Sequence, residues 1–174
     1  MTNPLMKEIE KEAARRFLVL YNKRFEFHFE IISINNPPDP DISCKDKKSG
    51  ENLDLEITGL ENLKGDMKKE FERIKGGPFY LGESFGMRGN IEKILENLEI
   101  LLKKKLLISY SGIPTALVIW RIISLWNCRE FNSMAGGAVQ KILQGYESNF
   151  PKGIWIFCHA EDVSGEDILN LYEV

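Results

Sequence analysis

NPPDPDISCKDKKSGENLDLEIT, residues 36–58, is the stretch of the sequence that decides the fold. Two extended pieces flank the segment DKKSGE, residues 46–51, whose composition is typical of a turn. Apolar and polar residues alternate along the second piece, which is the period of a strand buried on one side. The stretch therefore predicts a β-hairpin whose second strand has Leu53, Leu55 and Ile57 on one face and Asp54, Glu56 and Thr58 on the other.

The pairing of this hairpin brings two acidic residues together. If Lys45 lies opposite Asn52, continued pairing places Asp41 opposite Glu56. Opposed residues lie on one face with Cβ atoms about 5 Å apart, so we expect the two carboxylates to lie within roughly 4–6 Å, the reach of a shared divalent ion. Such carboxylates repel each other, and Mg²⁺ would remove the conflict because it prefers carboxylate oxygens and water. A solvated acidic face is the alternative interpretation.

The segments PD, residues 40–41, and LEIT, residues 55–58, resemble the signature of the PD-(D/E)xK nuclease superfamily. That signature is a proline and an aspartate, followed on the next strand by an acidic residue, any residue and a lysine. The resemblance implies a restriction-endonuclease-like fold in which Asp41 and Glu56 bind Mg²⁺ or Mn²⁺ and the Ile57 carbonyl is a further ligand. Thr58 stands at the position of the family's lysine.

The threonine changes what the motif can do. Thr58 can position a water molecule by hydrogen bonding, but it carries no charge and cannot replace a lysine electrostatically. An active enzyme would therefore need a lysine from elsewhere in the chain. The candidates are Lys64, Lys68 and Lys104.

A first helix is predicted over residues 4–21, where apolar residues recur at helical spacing. Glu10 and Glu12 lie at opposite rims of its apolar stripe. In many PD-(D/E)xK enzymes a first-helix glutamate reaches the active site, and Glu10 matches that arrangement best, with Glu12 second. The catalytic set implied by the resemblance is therefore Asp41, Glu56, Thr58 and Glu10.

The remaining patterns predict one domain over residues 1–174 with the order α-β-β-β-α-α-β-α-β-(β). This order indicates an α/β fold in which an antiparallel meander and crossover strands form a mixed central sheet with helices on both faces. The restriction-endonuclease-like core has the same arrangement. The other predicted elements are strands 25–31, 116–120, 154–158 and 167–174, helices 60–75, 91–107 and 134–148, and an irregular segment 79–89.

Composition and the absence of certain motifs exclude several functional classes. The net charge of −3 does not indicate constitutive nucleic-acid binding. The two histidines, His28 and His159, cannot form HExxH, and GxSxG, GxxxxGK[ST] and CxxC are absent. The longest apolar run, residues 113–120, is too short to span a bilayer. We expect a soluble cytoplasmic protein without a membrane partner.

The function expected from the resemblance is metal-dependent phosphodiester hydrolysis on nucleic acid, with DNA preferred to RNA. The alternative is a catalytically inactive nuclease-fold module that binds nucleic acid or protein. A small-molecule hydrolase or an unrelated α/β domain is a third hypothesis. The sequence leaves the oligomeric state open, with a dimer as one possibility.

Overall fold

The computed structural model describes residues 4–60, 91–108, 110, 112–121, 127–144, 149–159 and 166–173. Its helices are α1 (Pro4–Phe25), α2 (Ile91–Lys105) and α3 (Cys128–Leu143). Its strands are β1 (Phe29–Ile34), β2 (Ile42–Asp46), β3 (Asn52–Leu60), β4 (Thr115–Arg121), β5 (Ile154–His159) and β6 (Glu166–Asn170). Among these elements, no helix is both long enough and apolar enough to cross a membrane.

The six described strands form one mixed sheet in chain order, β1-β2-β3-β4-β5-β6. The first three strands form an antiparallel meander. Strand β4 then runs parallel to β3, and β5 runs parallel to β4. Strand β6 turns back antiparallel to β5, which confirms a strand at this edge. It spans Glu166–Asn170, so it is shorter than the predicted 167–174. The predicted α/β class with a mixed sheet is confirmed.

Two apolar clusters cover the two faces of the sheet. Helix α1 packs over one face and helices α2 and α3 pack over the other, so the prediction of helices on both faces is confirmed. On the α1 side the sheet contributes Leu53, Leu55 and Ile57 of β3, together with alternate residues of β4 and β5. Leu117 and Ile119 of β4 point to the opposite cluster. Strand β3 is therefore a central strand with covered faces.

The hairpin has the predicted pairing. Lys45 lies opposite Asn52, and the pairing continues to Ile42 opposite Leu55. The prediction that β3 is buried on one side only was wrong, because Glu56 is just 6% exposed. The alternating pattern correctly predicts which face of β3 each side chain lies on, but α2 covers the polar face as well. A sequence pattern of period two cannot distinguish a solvent-exposed face from a covered polar one.

The boundary between α1 and β1 also differs from the prediction. The alternation over residues 25–31 indicated a strand, but α1 continues to Phe25 and β1 begins at Phe29. Glu26 ends the helix with a positive φ of 58°. The aromatic residues meet around the helix end instead of lining one strand face, and Tyr21 contacts the ring of Trp155 edge-on.

The turn between β2 and β3 is organised by Asp46. Its carboxylate accepts hydrogen bonds from the backbone amides of Ser49 at 2.7 Å, Lys48 at 2.8 Å and His28 at 2.5 Å. These donors, with Ser49 contributing most, lower the pKa of Asp46 to about 2. These hydrogen bonds fix the conformation of the turn, and the turn sets the register of the hairpin.

Other boundaries shift, and some predictions lie outside the described residues. Helix α3 begins at Cys128, earlier than the predicted residue 134, because Asn127 and Glu130 form a capping box. The strand predicted over 116–120 is confirmed as β4, and that over 154–158 as β5. The helix predicted over 60–75 and the irregular segment 79–89 fall almost wholly outside the described part of the chain.

Candidate metal centre

Asp41 lies at the end of the loop that leads into β2. Its backbone carbonyl accepts a hydrogen bond of 2.8 Å from the amide of Asn35, which closes this loop. Its carboxylate oxygen Oδ2 accepts a hydrogen bond of 2.9 Å from the backbone amide of Ile57 on β3. Asp41 thus continues the hairpin one residue beyond the last paired residue of β2, with its carboxylate directed at β3.

Glu56 lies in the middle of β3 and is held by two groups from the α2 side. The ammonium of Lys105, the last residue of α2, donates a hydrogen bond to Oε1 of Glu56. Both side chains are largely buried, with 18% of the lysine and 8% of the glutamate exposed. The hydroxyl of Tyr110 is the second group: burial, followed by the effect of Glu56, raises its pKa. Lys105 therefore orients the carboxylate at the middle of the strand, with Tyr110 beside it.

Glu10 joins the two hairpin carboxylates from helix α1. Burial raises the pKa of Glu10 to about 7, and repulsion from Asp41 and Glu56 adds to the shift. Burial, followed by repulsion from Glu56, also raises the pKa of Asp41 to about 6. The ammonium groups of Lys7 and Lys105 partly offset these shifts. The structure therefore brings three of the residues singled out in the sequence into one electrostatic cluster.

Thr58 and Glu12 contribute differently from these three. Thr58 is half-buried on β3, two residues beyond Glu56 and on the same face of the strand. Glu12 forms an ion pair of 2.8 Å with Arg15 on the outer surface of α1, and that arginine lowers the pKa of Glu12. Glu10 is therefore the first-helix acid of this cluster, as the sequence pattern favoured.

The lysine beside the carboxylates is one that the sequence analysis missed. Lys104 is exposed, whereas its neighbour Lys105 contacts Glu56. Lys64 and Lys68 lie outside the described residues. Helical spacing could have identified Lys105, because it follows the buried Leu98 by seven residues and therefore lies on the inward side of α2.

The donor set suits a hard divalent cation. Mg²⁺ is commonly bound through one or two carboxylates and retains several waters. Asp41 and Glu56 could supply such carboxylates. The amide and carbonyl of a strand residue point to the same neighbouring strand, so the Ile57 carbonyl points to the side on which Asp41 lies. A cation there would relieve the repulsion that raises the pKa of Asp41 and Glu10.

A complete set of protein ligands is not present in the described part of the chain. Among those residues, no group of three or more histidine, cysteine, aspartate or glutamate side chains is arranged to hold a metal ion. Any cation held by Asp41 and Glu56 would therefore complete its coordination shell with backbone oxygen and water. Comparisons with protein-family models, with curated proteins and with solved structures found no match to this chain.

Proposed function

We propose that this chain is a Mg²⁺- or Mn²⁺-dependent phosphodiester hydrolase with a restriction-endonuclease-like core, acting on nucleic acid and on DNA in preference to RNA. The observation that carries the proposal is the position of Lys105 against Glu56. The lysine that the motif lacks at Thr58 is supplied by the last turn of α2. Two acids and a lysine are thereby assembled around one strand, as phosphodiester cleavage of this type requires.

The topology around the site supports the same proposal. The two motif acids lie on one hairpin, and β3 is joined to β4 as a parallel neighbour. Helix α1 covers one face and provides Glu10, while α2 covers the other face and provides Lys105. This arrangement of a first helix, an acidic hairpin and a crossover strand is the one that the resemblance implies.

Each residue has a distinct role in the proposed reaction. Asp41 and Glu56 would hold the metal ion, with the Ile57 carbonyl as a further oxygen ligand. When bound, the ion would supply water activation and charge neutralisation at the phosphate. Lys105 would stabilise negative charge that develops on the phosphate, because a preorganised ammonium in a site of low dielectric is an effective charge stabiliser.

Glu10 and Tyr110 complete the proposed site. Burial is the largest cause that raises the pKa of Glu10, and a carboxylate of raised pKa suits a general base. Tyr110 lies beside Glu56, and burial followed by the effect of this carboxylate raises the pKa of its hydroxyl. The hydroxyl would therefore stay protonated and could act as a hydrogen-bond donor in the site.

The test is single-turnover cleavage of single- and double-stranded DNA and RNA with Mg²⁺ or Mn²⁺. We expect metal-dependent cleavage that Asp41→Asn abolishes, because the isosteric amide removes one anionic ligand. Glu12→Gln is the matched control, since Glu12 pairs with Arg15 at the surface. The hydrolase proposal fails if the wild type cleaves none of these substrates over a wide range of metals. That result would favour the non-catalytic binding module.

A further inference from the structure

The loop that ends at Asp41 is closed by a single residue, Asn35. The backbone amide of Asn35 donates to the Asp41 carbonyl at 2.8 Å. The side-chain amide of Asn35 donates to the Pro40 carbonyl at 2.8 Å and to Oγ of Ser43 at 2.9 Å. Two of these hydrogen bonds hold the backbone carbonyls of Pro40 and Asp41, and the third holds the Ser43 side chain.

The Asn35 side chain is held by its hydrogen-bond partners, and one of them, Ser43, lies opposite a buried acid. Asp54 lies directly opposite Ser43 in the hairpin and is only 7% exposed. Burial raises the pKa of Asp54, and the Ser43 hydroxyl beside it lowers that pKa. The orientation of the Asn35 amide is selected by two other partners: the Pro40 carbonyl can only accept a hydrogen bond, and the Ser33 hydroxyl donates to Oδ1 of Asn35 at 2.8 Å.

Asp54 is buried without a full set of hydrogen-bond partners. Its Oδ1 atom has no hydrogen-bond partner within the described residues. An unsatisfied buried polar atom costs stability, and the opposing residue of β4, Thr115, donates instead to the Ile113 carbonyl at 3.1 Å. Ser43, which lies opposite Asp54 in the hairpin, accepts a hydrogen bond from Asn35.

Asn35 also connects the loop to the first helix. Its carbonyl accepts a hydrogen bond of 2.9 Å from the ammonium of Lys7. Lys7 lies on α1, three residues before Glu10. The same residue therefore contacts Asp41 through its amide and the helix of Glu10 through its carbonyl.

We propose that Asn35 is a positioning residue for Asp41, and that its side-chain contacts with the Pro40 carbonyl and the Ser43 hydroxyl hold it in place. These hydrogen bonds set where the Asp41 carboxylate lies relative to β3. The effect of Asn35 on metal binding rests on the proposed function, but its effect on the position of Asp41 does not. The two can therefore be measured separately.

The first readout is independent of any metal. The Ile57 amide donates to Asp41 Oδ2, so its hydrogen-exchange protection reports whether that carboxylate is in place. Leu55 is the internal control, because it belongs to the paired part of the hairpin opposite Ile42. We expect Asn35→Asp, which removes the side-chain donors, and Ser43→Ala to lower Ile57 protection about 10-fold or more while Leu55 is unchanged. Ser43→Thr retains the hydroxyl and should retain the protection.

The second readout is the Mn²⁺ dissociation constant from calorimetry on the same proteins. Loss of a partner that orients a metal ligand typically weakens affinity by about 10- to 100-fold, and we expect that range for Asn35→Asp and Ser43→Ala but not for Ser43→Thr. The absence of Mn²⁺ binding by the wild type would defeat the proposed function, and the Ile57 exchange would still decide the positioning role.

Three results would overturn the positioning proposal. The first is unchanged Ile57 protection in Asn35→Asp and Ser43→Ala. The second is equal loss of protection at Ile57 and Leu55, which would indicate general loosening of the hairpin. The third is a Ser43→Thr protein that behaves like Ser43→Ala, because the hydroxyl would then have no part in the effect.

Discussion

The ammonium of Lys105 is bonded to the carboxylate of Glu56, although 49 residues separate them in the chain. This contact joins the last turn of α2 to the middle of β3. Both groups are largely removed from water, and loss of one partner from a buried ion pair leaves an uncompensated charge. The pair therefore links the stability of the fold to the composition of the candidate site.

The first prediction concerns Lys105. Lys105→Met keeps the length of the side chain and removes its charge, so we expect metal-dependent cleavage to fall by about 10²-fold, the scale for losing one preorganised charge stabiliser. Lys104→Met is the matched control, because Lys104 is exposed on the same turn. Equal activity of the two variants in single-turnover assays would contradict the assignment of Lys105.

The second prediction tests whether Thr58 and Lys105 are alternative positions for one charge. Thr58 lies on the same face of β3 as Glu56, so a lysine there would place an ammonium at the position that the motif reserves for it. We expect Thr58→Lys to restore at least about 10-fold of the activity lost in Lys105→Met, part of the loss attributed to one charge stabiliser. Restoration is measured in the double variant. No gain over Lys105→Met alone would show that the positions are not interchangeable.

The third prediction concerns metal binding and stability. A cation that binds only the folded protein raises its melting temperature by mass action, by about 2.7 kcal/mol of stability at 100 times the dissociation constant. We expect Mn²⁺ to raise the melting temperature of the wild type and of Glu12→Gln, but not of Asp41→Asn or Glu56→Gln. Differential scanning calorimetry measures the shift. Identical metal-dependent shifts in all four proteins would locate the cation elsewhere.

The fourth prediction concerns pH. The pKa of Glu10 rises from 4.5 to about 7 on folding, so the folded state holds this proton more tightly than the unfolded state. Ionisation of Glu10 therefore destabilises the folded state. This loss of stability is absent below pH 4.5, grows as the pH rises, and is complete above about 7. Glu10→Gln cannot ionise, and we expect the metal-free melting temperature to fall less over this window than in the wild type, by about 3 °C for each kcal/mol. Parallel declines would contradict this origin of the pH dependence.

The fifth prediction concerns the hairpin turn, where stability is lost as the pH falls and not as it rises. The pKa of Asp46 falls from 3.8 to about 2 on folding, so its contribution to stability is present above pH 3.8 and is lost as the pH falls toward 2. We expect Asp46→Asn to melt several degrees below the wild type at pH 7 and to approach it near pH 2. Asp39→Asn, at an exposed loop position, is the control. A difference that stays constant with pH would argue against the carboxylate as the source.

The sequence predicted the hairpin well, because turn composition and alternation are local signals. It placed Lys45 opposite Asn52, and the structure has that pair. The covered polar face of β3 could not be predicted, since its cover comes from α2, more than thirty residues further along the chain. The aromatic alternation at residues 25–31 was misinterpreted for a similar reason, because Trp155 draws Tyr21 and Phe25 into one cluster from the other end of the sheet.

The first helix contacts both early and late parts of the sheet. Its residue Phe17 packs near Trp155 of β5, and Arg24 forms an ion pair of 2.7 Å with Asp167 of β6. The strands can pair in the order of their synthesis, yet α1, which precedes all six strands, finds its last partners only when β5 and β6 emerge. We expect the apolar side of α1 to be the surface of the nascent chain that stays exposed longest and most needs protection from aggregation.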